Sequence, residues 1–313
     1  MLTTTMRTIL VVTLAACSSV CLACRHTPEA RTFDTPEQAA EALITTVKGG
    51  TVDDLIAIFG PDSKDLVASA DPTDARQSRE VFTAAAHERW HLEDAPNGAK
   101  TLVVGNEDWP FPVPIVHSTS GWHFDTAAGR DEVIARRVGR NELEVIRLLR
   151  TYVTAQHLYA QTGHDGQPAG AFAMVLKSDP GRQNGLYWPV GHLEKRSPLG
   201  DLVASAAEDG HSADAKSGPT PFHGYYFKIL TAQGAAAPGG AKDYVAGGRM
   251  TGGFAMVAWP AAYDSSGVMT FVVGADGVVH EKDLGPDTDS AARAMRQFNP
   301  DDSWAVVSDA EAQ

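Results

Sequence analysis

Residues 141–160 read Asn141-Glu142-Leu143-Glu144-Val145-Ile146-Arg147-Leu148-Leu149-Arg150-Thr151-Tyr152-Val153-Thr154-Ala155-Gln156-His157-Leu158-Tyr159-Ala160. Val145, Leu148, Leu149, Tyr152, Ala155 and Tyr159 recur at intervals of three and four, the spacing that lines one face of an α-helix. Asn141 with Glu144 three places later has the form of a capping box, so the spacing predicts a helix restarting at Asn141 and running for about five turns. Extended runs follow: 171–176, 222–232, 254–259 and 268–273, the last joined to Val278-Val279-His280 through Ala275-Asp276-Gly277. Asp-Gly between apolar runs marks a tight hairpin. Short helices are expected near Leu199 to Glu208 and Ser290 to Phe298. A long amphipathic helix ahead of antiparallel strands predicts an α+β unit in which the helix lies on the sheet.

The chain before Asn141 has a different rhythm. Thr35-Pro36-Glu37-Gln38 starts a helix, with threonine as cap and proline at the first helical position; Leu43, Ile44 and Val47 form its stripe. Thr51-Val52-Asp53-Asp54 caps a second helix carrying Leu55, Ile58 and Phe59. A third is expected from about Thr73 to Trp90, with Val81, Phe82, Ala85, Ala86 and Trp90 facing inward. Strand signals follow at 101–104, 113–117 and 121–124, the last two joined by Ser118-Thr119-Ser120. Helices first and then a sheet resembles the cone-shaped nuclear-transport-factor-like and cystatin-like architectures. The expected layout is therefore an export leader over 1–24, a tether over 25–32, an N-terminal α+β domain over 33–128, a linker over 129–140 and a C-terminal α+β domain over 141–313.

The leader is read from Arg7 followed by Ile9-Leu10-Val11-Val12-Thr13-Leu14-Ala15-Ala16, a stretch too short for a bilayer-spanning helix of about 20 apolar residues. All three cysteines lie here: Cys17, Cys21 and Cys24. Leu14-Ala15-Ala16-Cys17 and Cys21-Leu22-Ala23-Cys24 both resemble a bacterial lipobox, so Cys24 or Cys17 is the expected lipidation site, with ordinary cleavage near Ala23 as the alternative. The folded body then holds no thiol, which excludes cysteine nucleophiles and disulfides there. An exported protein, periplasmic or lipid-anchored to a membrane, is expected.

The 313 residues carry 43% hydrophobic and 21% charged side chains, the balance of a soluble globular protein. The net charge is -13, and -14 once the leader takes Arg7 with it; this argues against a nucleic-acid partner, which needs a clustered positive surface.

Several motifs in the second half are specific. Arg137-Val138-Gly139-Arg140-Asn141-Glu142-Leu143, Tyr152-Val153-Thr154-Ala155-Gln156, Gly185-Leu186-Tyr187-Trp188, Ser197-Pro198-Leu199-Gly200, His223-Gly224-Tyr225-Tyr226-Phe227, Ala237-Pro238-Gly239-Gly240-Ala241 and Gly253-Phe254-Ala255-Met256-Val257-Ala258-Trp259-Pro260 resemble those of a bacterial exported family known as domain of unknown function 2950. The resemblance implies an envelope location and a shared fold, and carries over no catalytic residue. The second half also loosely resembles the globular head of type IV pilin-like proteins, although the corresponding helix here is internal and charged.

The chemistry is less legible. His87 and His91 are four apart with helical spacing, and His117 and His123 sit on neighbouring strands where they could meet across the expected hairpin, but no zincin motif or calcium-loop spacing accompanies any histidine, and His164-Asp165-Gly166 reads as a turn. No metal or cofactor is expected. Gly-x-Ser-x-Gly is absent, and Ala237-Pro238-Gly239-Gly240-Ala241 lacks the lysine of a phosphate loop. The catalytic residues are unknown, and the enzyme question leans towards no. Tyr187, Trp188, His223, Tyr225, Tyr226, Arg249 and Trp259 form an aromatic-rich set suited to a glycan, a peptide or an envelope protein partner; alternation places His223 with Tyr225 on one face of a strand and Tyr226 on the other. Arg136, Arg137 and Arg140 are read as an anion site or as ion pairs with an acidic neighbouring domain. The expected role is a non-enzymatic binding or assembly component of the envelope. The alternatives are a hydrolase acting on peptidoglycan or glycan, and a subunit of a pilus-like assembly.

Overall fold

Capping and periodicity act first. The computed structural model describes residues 30–67, 72–189, 197–200 and 221–308. Helix α1 (Pro36–Gly49) starts where Thr35 accepts the amide of Gln38, and α2 (Val52–Phe59) starts at a reciprocal box between Thr51 and Asp54. Those hydrogen bonds to Thr51 hold the Asp54 carboxyl below its ordinary value. After a 3-10 turn (Pro61–Ser63) come the short α3 (Lys64–Val67) and α4 (Pro72–Glu88). Strands β1 (Trp90–Asp94), β2 (Lys100–Val104), β3 (Trp109–Pro110), β4 (Ile115–Ser118) and β5 (Gly121–Phe124) form a sheet in the order β1-β2-β4-β5, with β3 on β2.

Helix α5 (Thr126–Ala160) then runs for 35 residues. The short parallel pair β6 (Val175–Lys177) and β7 (Gly185–Tyr187) follows it in the chain. Beyond them lie β8 (Tyr225–Leu230), β9 (Ala232–Gln233), β10 (Lys242–Asp243), β11 (Val245–Ala246), β12 (Arg249–Met250), β13 (Ala255–Pro260), β14 (Met269–Gly274), β15 (Val279–Asp283), α6 (Thr288–Ala294), β16 (Gln297–Phe298) and β17 (Ala305–Val306). The main sheet here is antiparallel, in the order β17-β15-β14-β13-β8. The protein is thus a mixed helix-and-sheet fold, 37% helical and 28% strand, as the pattern of elements predicts. Among the described residues no helix is long and apolar enough to cross a membrane.

Buried apolar side chains fall into two clusters. One joins Leu43, Ile58, Leu102, Ile115 and Phe124; the other joins Val145, Leu149, Tyr152, Phe254, Val257 and Phe271. Helix α5 serves both, with Val133 packed on the first and Val145 to Tyr159 in the second. β13 is buried along its whole length, so it reads as a continuous apolar run rather than an alternating one.

Several expectations need correction. The restart expected at Asn141 lies 15 residues inside α5, whose cap is Asp125 accepting the amide of Ala128. Residues 129–140, expected as a linker, are helical. Gly129, inside that span, serves close approach: a Cβ there would sit 2.6 Å from the Cα of Val113. The third helix stops at Glu88, because Trp90 and His91 pair with Val104 and Val103 in β1. Val81, expected inside, is 64% exposed. His223 and Gly224 do not belong to a strand; both have positive φ (47 and 70°) in a tight turn closed by Phe222 and Tyr225. The last short helix ends at Ala294, and Phe298 lies on β16. The Asp276-Gly277 hairpin forms as read, with Val273 opposite Val279. The leader with Cys17, Cys21 and Cys24, and nearly all of the helix expected near Leu199 to Glu208, lie outside the described residues.

Candidate functional site

Four segments converge near the start of α5. Phe33 exchanges both backbone hydrogen bonds with Trp122 (2.8 Å each), and the amide of Arg31 donates to Ala57, which lays residues 30–33 along β5 and α2. The C-terminal end of α2 turns at Gly60 into the 3-10 turn, where Ser63 donates to the Gly60 carbonyl at 2.6 Å. Thr126 donates to the Phe59 carbonyl at 2.6 Å and so locks the first turn of α5 against α2. Arg130, one turn further on, reaches both the Asp65 carboxylate and the Asp62 carbonyl.

These braces leave an open cavity of about 820 Å³ between them. Ala30 and Thr32 form one wall, Phe59, Gly60, Pro61 and Asp62 the second, Ser118, Ser120 and His123 of the β4–β5 hairpin the third, and Thr126, Ala127 and Arg130 the last. The two serine hydroxyls are 3.1 Å apart, and Ser118 also donates to the Gly121 carbonyl. Nδ1 of His123 is enclosed without a hydrogen-bond partner, so nothing on that side fixes the tautomer of the ring. Phe59 is held edge-on to Phe124 (5.1 Å) and stacked on Phe111 (6.1 Å), which makes the apolar wall stiff. Its volume falls within the range of small-ligand sites, and its open, mixed polar and apolar lining is that of a shallow surface cleft.

Sequence reading missed this place. It saw Ser118-Thr119-Ser120 as a turn and His123 as a hairpin partner of His117, but not the helix start at Thr126. The sequence Asp125-Thr126-Ala127-Ala128 is the signal that would have located it, since aspartate ahead of helix formers is a favoured N-cap.

The main sheet divides the aromatic set chosen from sequence. Tyr225 is fully buried on the α5 side and donates to the Met269 carbonyl (3.0 Å) and to Glu142 (3.3 Å); burial first, then the Glu142 charge, pushes its phenol well above the ordinary value. Tyr226 and Trp259 meet on the other side at 5.7 Å, beneath Arg293, whose guanidinium lies 5.4 and 5.7 Å from their ring centres. Trp259 donates to Asp289 at 2.9 Å, and Arg293 grips both oxygens of that carboxylate. Trp188 is buried beside His164 (5.6 Å), which itself stacks on Tyr159 at 3.9 Å. Tyr187 is half-buried against the same cluster. Arg249 donates to the Pro168 carbonyl at 2.8 Å, and His223 sits in its turn against Phe222. Tyr225, Trp188 and Trp259 therefore offer a ligand almost no surface.

The remaining polar groups are used structurally. Arg137 donates to the carbonyls of Asp65 and Leu66, and Arg136 bonds Glu132 and the Pro110 carbonyl while covering Trp109. His87 ends α4 whereas His91 lies on β1, so they do not share a helix face. His117 packs edge-on to Trp122 at 5.1 Å. His164-Asp165-Gly166 is a turn, with Asp165 accepting from Arg182 and the Gln183 amide. Among the described residues no group of three or more His, Cys, Asp or Glu side chains could hold a metal ion.

No curated protein and no solved structure matches the chain. A family profile does, over residues 30–307, which takes in both apolar clusters, the cavity and each of the second-half motifs from Arg137 to Pro260. On that extent of agreement the chain belongs to the family described as protein of unknown function (DUF2950).

Proposed function

We propose that the protein is an exported, non-enzymatic binding component of the cell envelope, and that its recognition site is the cavity at the start of α5. One observation carries this reading: side chains from four segments spread over residues 30–130 are braced around a single open space of about 820 Å³. Its lining includes one carboxylate, Asp62, whereas a glycosidase of the usual kind needs two across the scissile bond. That favours holding a ligand over cleaving it. We also propose two domains sharing α5, the boundary lying within 129–140, with the C-terminal unit as the rigid support. Anchoring through Cys24 would place Ala30, on the cavity wall, six residues from the lipid; even a fully extended connection spans only about 20 Å. The ligand would then be met close to a membrane surface.

A photoreactive residue at Ser120, with crosslinking in intact cells and intact-mass analysis of the recovered chain, tests this. An adduct at Ser120 that is absent from a control placed at exposed Val81, on a chain that has lost its leader, is the expected result. Equal labelling at both positions, or a chain retaining residues 1–24, would overturn the binding site or the export reading respectively.

A further inference from the structure

We infer that the cavity takes a neutral, hydroxyl-rich ligand, a short saccharide, in preference to an anion or an acyl chain; this rests on the binding reading above. The argument begins with charge. The lining carries one guanidinium, Arg130, and one carboxylate, Asp62, while the Asp65 carboxylate, which is not on the lining, already pairs with Arg130. A phosphate or carboxylate entering here would meet no net positive field, inside a chain of net charge -13, and would have to compete with Asp65 for its only guanidinium on the lining.

An acyl chain fails for the opposite reason. It would cover the charged groups of Asp62 and Arg130 without offering either a hydrogen bond, and a covered polar group costs about 1–3 kcal/mol, more when charged. A sugar hydroxyl both donates and accepts. It can give its proton to Asp62 or to the Ser120 oxygen, whose own proton goes to Ser118, while receiving one from Arg130, and the C–H face of the ring can lie on Pro61 and Ala127. Thr126 is a brace and not a contact, because its hydroxyl proton is spent on the Phe59 carbonyl.

The test is titration of the full chain in detergent with three neutral tetrasaccharides (chitotetraose, maltotetraose and xylotetraose), and separately with inorganic phosphate and with decanoate. The variants are Asp62→Asn and Ala127→Trp, each checked for an unchanged circular dichroism spectrum and melting temperature. We expect one of the tetrasaccharides to bind, with affinity falling about tenfold or more in Asp62→Asn and binding lost in Ala127→Trp. Binding of phosphate or decanoate alone, abolished by Ala127→Trp, would overturn the saccharide inference and leave the cavity reading intact. No binding by any probe, or binding indifferent to Ala127→Trp, would sink both.

Discussion

The side-chain amide of Asn141 donates to the carbonyl of Ser266 at 2.8 Å, joining positions 125 residues apart. Next to it, Glu142 accepts the amides of Val268 and Met269 at 2.9 Å each, so two adjacent residues in the middle of α5 cap the turn that leads into β14. Asn141 is buried, and its loss would leave the Ser266 carbonyl unanswered. Asn141→Ala should therefore cost about 1–3 kcal/mol in urea unfolding. Glu142→Gln, which keeps an acceptor oxygen for the two amides, should cost less than Glu142→Leu. Equal losses for those two variants would show that the carboxylate position matters only for packing.

Gly267 lies in the same turn. A Cβ there would fall 2.0 Å from the hydroxyl of Tyr225, whose ring is enclosed on all sides and cannot give way. Gly267→Ala should destabilise by about 1–3 kcal/mol or more through overpacking. The double variant Gly267→Ala with Tyr225→Phe should recover part of that loss, which a thermal melt would read directly.

Helix α5 gives a paired comparison on one element. Leu149 is 0% exposed and sits in the C-terminal cluster; Leu158 is 48% exposed. Leu149→Ala should cost about 2–5 kcal/mol, while Leu158→Ala should stay within about 0.5 kcal/mol. Similar effects at both positions would contradict the assigned face of the helix.

The network of Asp289 predicts an acid response. The hydrogen bond from Arg293, then that from Trp259, lowers the Asp289 carboxyl below its ordinary 3.8. Because the folded value is the lower one, its stabilisation is complete above the unfolded value and is lost as the pH falls through the folded value, a window that lies below about pH 5. Asp289→Asn should flatten the dependence of melting temperature on pH in that range and leave the slope between pH 6 and 8, on the order of the titration of other groups, unchanged.

Much of the architecture was legible in the residues because its causes are local. Thr35, Thr51 and the Asp276-Gly277 pair act over three or four positions, and their elements form where the signals stand. The start of α5 was not legible, since the apolar helical spacing begins only at Val145, and residues 129–140 hold the basic Arg136, Arg137 and Arg140 without such a stripe. That turn of helix exists because Thr126 is tied to Phe59, Gly129 lies on Val113 and Val133 packs on the N-terminal cluster. None of those partners is nearby in sequence.

The same division holds for the site. Residue order by itself determined the mixed helix-and-sheet class, the amphipathic face from Val145 to Tyr159, the last hairpin and the family motifs, all of which follow from spacing and turn chemistry within a short window. Tertiary structure alone decided that Tyr225 is enclosed against Met269 and Glu142, that Trp259 is spent on Asp289, and that Asp62, Ser120, His123 and Arg130 share a cavity. A cavity is the space left when separate segments pack, and no local pattern encodes the distance between segments that meet only after folding.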